Sequence, residues 1–198
     1  TPIYFGRASK IDNSISEAKI SSMENNTVTN AVVYYVIQKN DAESRLLYFK
    51  DKNERDFRIT PETTPYRGHY ETASGYTANS GQAKTYYVFR SYMEQLEYTG
   101  GGTITVAAGT YTLSHSVCIP SNVTVNFEDG VKIQKVKAVN TNLATNKTMF
   151  ELVPPSKEGV KNSVGGYNGS QNVTLQGNGS TIFDCAYTLN AMAVVMGH

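Results

Sequence analysis

Asp184 is the first residue in this chain whose setting suggests chemistry. It follows the strand-like Thr-Ile-Phe of residues 181–183 and precedes Tyr187, which predicts a carboxylate facing a groove. The competing use of an aspartate there is to cap a turn. His198 is a second candidate for proton transfer and His115 a third; neither has a partner visible in the sequence, and a lone histidine more often serves structure than catalysis. The stretch RGHYE, residues 67–71, groups a cation, an imidazole, a phenol and a carboxylate. Arg67, His69 and Tyr70, together with Tyr187, are therefore candidates for binding an acidic sugar; a solvated, hydrogen-bonded linker is the competing reading. Lys132, Lys135 and Lys137 are a candidate basic strip for a uronate, against the alternative of a solvated edge. The QGNGS of residues 176–180 is too short and misplaced for a phosphate loop. No cofactor and no metal site are expected.

These residues sit in a chain of 198 residues with 18 Lys and Arg against 17 Asp and Glu, a net charge of +1. Such a balance sets up no strong field for nucleic acid or a membrane surface. No apolar run approaches the roughly 20 residues of a membrane span. Thr1-Pro2-Ile3 is not the charged start of a signal peptide, although a trimmed secreted chain would look the same. Asn, Thr, Gly and Tyr are abundant while Leu, Ile, Val and Phe are sparse, a bias that suits β structure with many turns. Cys118 and Cys185 are too far apart for a zinc pattern or a disulfide framework, so free thiols or one long-range bridge remain. Sequons begin at Asn25, Asn122, Asn146, Asn168, Asn172 and Asn178, and several fall where asparagine has a structural use.

The elements that must position these groups follow from periodicity. Residues 27–38, 45–50 and 55–60 read as strands separated by polar turns, an antiparallel meander or partial sandwich over 1–60. Residues 61–84 have no helical period and hold Pro61 and Pro65, a linker loop. Between Thr85 and Gly102 the period changes: Val88, Phe89, Tyr92, Met93 and Leu96 form one apolar helical stripe, stopped by Gly100 to Gly102. The period then returns to two, with short strands and Gly or Asn turns to the end of the chain.

Two of those later segments resemble each other. SNVTVNFEDGVKI, residues 121–133, and QNVTLQGNGSTIF, residues 171–183, share Asn, a Val-Thr-aliphatic strand, a glycine turn and a second strand. The second reads as one residue shorter before its turn glycine, which a bulge would absorb. Asn122 and Asn172 would then occupy one turn position on successive coils and hydrogen-bond along the stack in left-handed backbone. Short strands, Asn or Gly corners and self-similarity predict a β-solenoid over 85–198, with the helix as its cap; an ordinary sandwich with an appended helix is the alternative.

On GGTITVAAGTYTL, IPSNVTV, DGVKI and NVTLQGNGSTI, residues 85–198 resemble the start of the pectate-lyase-like right-handed parallel β-helix superfamily, as found in Gram-positive secreted and surface proteins. The resemblance implies a mostly β protein, an N-terminal antiparallel segment followed by a helix-capped parallel β-helix. It implies a secreted or cell-surface carbohydrate-active protein, lyase-like or glycosidase-like, with a polysaccharide as partner. The alternative is a non-catalytic adhesin or tailspike-like module. Lyase-like members use calcium; no paired or clustered aspartates matching either chemistry occur here, so the resemblance transfers no catalytic residue. The closing AMAVVMGH reads as a strand with nothing after it, which predicts the front of a longer solenoid whose catalytic coils lie elsewhere, and a homodimer through the exposed end.

Overall fold

The computed structural model describes residues 17–19, 31–35, 47–70, 76, 81–137, 148–160, 163–165, 168–186 and 192–195. Three short strands, β1 (Glu17–Lys19), β2 (Ala31–Tyr35) and β3 (Leu47–Asp51), form an antiparallel sheet in that order. The next strand, β4 (Asp56–Ile59), departs from expectation. Residues 55–60 read as the third strand of the opening meander, yet β4 pairs in parallel with a strand more than forty residues later. The physical reason lies in its alternation: Phe57 and Ile59 face inward, aligned with Ile104 and Val106, and β4 extends their apolar rows. Periodicity tells which face of a strand is buried and says nothing about its neighbour.

The helix α1 (Gly81–Thr99) begins earlier than the apolar stripe alone predicts. Phe89, Met93 and Leu96 are buried on its inner face. It stops where expected. Gly100 and Gly101 take positive φ values of 77° and 126°, and Gly101 N–H donates to the Leu96 carbonyl at 2.8 Å. A Cβ at Gly101 would lie 2.3 Å from the Asn122 carbonyl oxygen, so only glycine fits this turn.

From here the chain visits three parallel sheets in rotation. It runs through β5 (Gly102–Val106), β6 (Gly109–Leu113) and β7 (Val117–Cys118), then β8 (Val123–Phe127), β9 (Val131–Lys135) and β10 (Thr148–Glu151), then β11 (Thr174–Gly177), β12 (Thr181–Asp184) and β13 (Met192–Val195). The first sheet has the order β11-β8-β5-β4, the second β12-β9-β6 and the third β13-β10-β7. Like residues stack in register: Ile104, Val125 and Leu175 in the first sheet, Tyr111, Ile133 and Phe183 in the second. The inner faces meet in one core. Phe127, Phe150 and Phe183, one from each sheet, pack with ring centroids 5.2–6.1 Å apart, and Phe89 of α1 joins Phe150 at 6.4 Å. Aromatic edge-to-face contacts of this kind add to area burial.

The two self-similar segments align without a gap. Thr124 pairs with Thr174 and Val131 with Thr181, so no residue is missing and no bulge is needed; Asp129, not Gly130, stands opposite Gly179. The asparagines behave as the sequence predicts. Asn122 and Asn172 have φ of 61° and 54°, and Asn172 Nδ2 donates to Asn122 Oδ1 at 3.0 Å. Asn122 Nδ2 passes the ladder on to the Gly100 carbonyl at 3.2 Å. Fold class is therefore mostly β, with parallel strands in register and, among the described residues, one long helix and no helix long and apolar enough to cross a membrane.

Candidate functional site

Of the residues singled out by type, His198 and Tyr187 lie outside the described residues. The structure disperses the rest. Arg67 sits in a left-handed turn with φ of 51°, donates to Glu54 Oε1 at 2.8 Å, and places its guanidinium 5.4 Å from the Tyr66 ring. His69 and Tyr70 are buried, 2 % and 8 % exposed, against α1 rather than solvated. The lysine strip does not form. Residues 132 and 135 are an odd number of positions apart on one strand and so face opposite ways. Lys132 reaches outward to Asp184, with Nζ 2.9 Å from Oδ2. Lys135 points into the core, 1 % exposed, and donates to the Thr148 carbonyl at 2.6 Å; burial pushes its pKa down to about 8.

His69 and Tyr70 instead join a charged cluster on one side of α1. Tyr86, Arg90 and Glu94 follow one another at helical spacing of four. Arg90 Nε lies 3.0 Å from Glu94 Oε1, and its Nη1 lies 3.3 Å from Glu158 Oε2 in the turn after β10. Each carboxylate then takes a phenol: Tyr70 donates to Glu94 at 2.6 Å and Tyr86 to Glu158 at 2.8 Å. Each has a histidine at its edge, His69 at 3.6 Å from Glu94 and His115 at 3.2 Å from Glu158. Burial works against the Arg90 charge, but Tyr70, Tyr86, Glu94 and Glu158 around it raise its pKa overall. Burial likewise opposes Glu158 ionisation, yet His115, Arg90 and Tyr86 hold its carboxyl below the usual range. His69 is kept neutral: burial first, then the Lys50 and Arg90 charges, pushes its pKa down to about 2. Every charge here is met by a partner from within the protein, which is the pattern of a lock between α1, the 66–70 turn and the turn after β10.

The other side of α1 is different. A cleft of about 430 Å³ opens between α1, the loop that follows β4, and β6. Ile59, Val88, Phe89 and Tyr111 form its buried floor. Thr60, Thr63, Thr64, Thr85, Thr110 and Thr112 bring hydroxyls to its walls, with Tyr76, Lys84 and Glu62. The wall loop is braced: Thr60 N–H donates to Thr63 Oγ1 at 2.8 Å, and Pro61 rests on Gly109, where a Cβ would come within 2.7 Å of its ring. Tyr111 ties floor to wall by donating to the Ile59 and Ala107 carbonyls at 3.1 and 2.8 Å. The side-chain hydroxyls of Thr64, Thr110 and Thr112, by contrast, carry no hydrogen bond among the described residues.

Thr110 and Thr112 also begin the outward face of the second parallel sheet. Register aligns Thr110, Lys132 and Ile182 in one row across the three strands, and Thr112, Gln134 and Asp184 in the next. Asp184, chosen from sequence as a groove-facing acid, thus stands at the far end of a row that starts in the cleft. Its carboxyl is held below the usual range by the hydrogen bond from Lys132 and then by the Ala186 N–H, which it accepts at 2.9 Å. This last bond is also the turn-capping use weighed for it. Ile182 is exposed at 50 % between these polar neighbours.

Sequence reasoning missed the cleft. Its one legible signal is the Thr-x-Thr of residues 110–112, two hydroxyls on the same face of a strand. The contributions of Tyr76, Lys84 and the 60–64 loop are set by tertiary placement. Among the described residues, no group of three or more His, Cys, Asp or Glu gathers to hold a metal ion. No protein-family model, no curated protein and no solved structure matches the chain.

Proposed function

We propose that this is a carbohydrate-active parallel β-helix protein of secreted or cell-surface type, resembling the pectate-lyase-like superfamily, with α1 as its cap. The outward face of the second sheet binds a polysaccharide laid across the strands. The observation that carries the reading is the register of three outward pairs: Thr110 and Thr112, Lys132 and Gln134, Ile182 and Asp184. Parallel strands repeat at about 4.8 Å, so a polymer of repeating polar units meets one such pair per strand. The Asn122–Asn172 ladder supports the solenoid part of the proposal, because stacked left-handed asparagines require successive turns of chain to superpose.

Within these six outward positions there is one carboxylate, Asp184, and it is committed to Lys132. Acid–base cleavage of a glycosidic bond takes two. That count favours binding over cleavage at this face, as in a non-catalytic adhesin or tailspike-like module.

The test is gel retardation by polysaccharides, with polygalacturonate, xylan, mixed-linkage glucan and galactomannan in the matrix. Retardation by at least one polymer, lost in Gln134→Ala combined with Ile182→Asp, is the expected result. Migration unchanged by every polymer defeats the reading, and so does equal retardation of the variant.

A further inference from the structure

The face and the cleft share Thr110 and Thr112, so whatever lies along the face runs into the cleft at its β6 end. There the 60–64 loop on one side and α1 on the other form walls, with Pro61 packed onto Gly109 to fix the loop. A polymer cannot continue through α1.

We propose that the cleft is a pocket for the end of a glycan, holding one or two uncharged pyranose rings. This rests on the polysaccharide-binding reading for its biological setting, but its chemistry stands on the cleft alone. A volume of about 430 Å³ lies within the range of small-molecule sites. The apolar floor of Ile59, Val88 and Phe89 suits the C–H face of a pyranose, and Tyr76 adds an aromatic wall. The Thr64, Thr110 and Thr112 hydroxyls, which have no partner among the described residues, can each both donate and accept, as a sugar hydroxyl does. Charge argues for a neutral ring. Lys84 and Glu62 both line the cleft, and the Lys84 ammonium lies 5.5 Å from the Tyr76 ring centroid. One cation and one anion at the same site leave no net field to select a uronate.

The experiment titrates the protein with neutral disaccharides (cellobiose, xylobiose, mannobiose, galactobiose) and with digalacturonate, followed by tyrosine fluorescence and calorimetry. Thr64→Val removes one hydroxyl from the cleft wall without changing its size, and Tyr76→Leu removes the aromatic wall. Thr174→Val, exposed on the first sheet, is the matched control. The proposal expects at least one neutral disaccharide to bind, digalacturonate to bind no better, and affinity to fall about tenfold in Thr64→Val while Thr174→Val keeps it. A thermal melt of Thr64→Val like that of the parent protein ties the loss to the pocket. Equal binding by Thr64→Val and Tyr76→Leu overturns the proposal, and so does a preference for digalacturonate. If polymers bind the face but no neutral disaccharide binds, the pocket falls and the polysaccharide reading stands. Disaccharide binding at the cleft with no polymer binding leaves the pocket standing and removes the reading. Failure of both ligand classes removes both.

Discussion

The two flanks of α1 are built from the same kinds of residue to opposite ends. On one flank Arg90 is held by Glu94 and Glu158, and those carboxylates are met by Tyr70, Tyr86, His69 and His115. On the other flank Thr64, Thr110 and Thr112 surround a cleft, and their side-chain hydroxyls make no hydrogen bonds among the described residues. The first flank looks more like chemistry in a sequence, because it is rich in ionisable groups. Yet its charges are saturated by one another, and a half-buried network satisfied in this way rigidifies a junction and leaves nothing to offer a ligand. The second flank carries little charge, and its unspent hydroxyls are what a ligand can use. Capacity to bind is measured by what the protein has left unsatisfied.

The comparison is broken most forcefully at Arg90. Arg90→Ala leaves two carboxylates and two phenols facing one another, and a cost of about 3 kcal/mol is expected, the low end for breaking a buried ion pair because this network is only half-buried. Urea denaturation followed by far-UV circular dichroism measures it. Arg90→Lys should recover only part, since an ammonium cannot span both carboxylates in a fixed fork. A loss within the range of an ordinary surface substitution would mean that the network does not lock the helix.

The next effect is in pH. His69 has a pKa near 2 when folded, against 6.5 when free of the protein. Between those values the unfolded chain binds a proton that the folded protein refuses, so stability falls as pH drops below 6.5. The expected slope is about 1.4 kcal/mol per pH unit. Glu158, whose folded pKa is depressed from 4.5, adds its own loss only in more acid solution, below the window from pH 6.5 to 5. Urea midpoints across that window should slope in the parent protein and flatten in His69→Phe. An equally steep variant would place the acid sensitivity in another group.

The smallest effect is predicted on the opposite flank. Thr110 is exposed and its hydroxyl holds nothing, so Thr110→Val should change stability by less than about 0.5 kcal/mol. A calorimetric melt tests this, and a large destabilisation would show that the cleft wall is part of the lock after all.

The strands, the helix and the asparagine corners were legible because they rest on local physics. Alternation in VTVNF and VKIQK, the stripe of Val88, Phe89, Met93 and Leu96, and the tolerance of asparagine for left-handed backbone are properties of a few consecutive residues. What tertiary structure alone decided was pairing. β4 joined the parallel sheet instead of the opening meander, His69 and Tyr70 were drawn under α1, and residues from β4 to β6 converged on one cleft. Those outcomes depend on which apolar rows seal against each other across tens of residues, a competition among long-range contacts that no local pattern encodes.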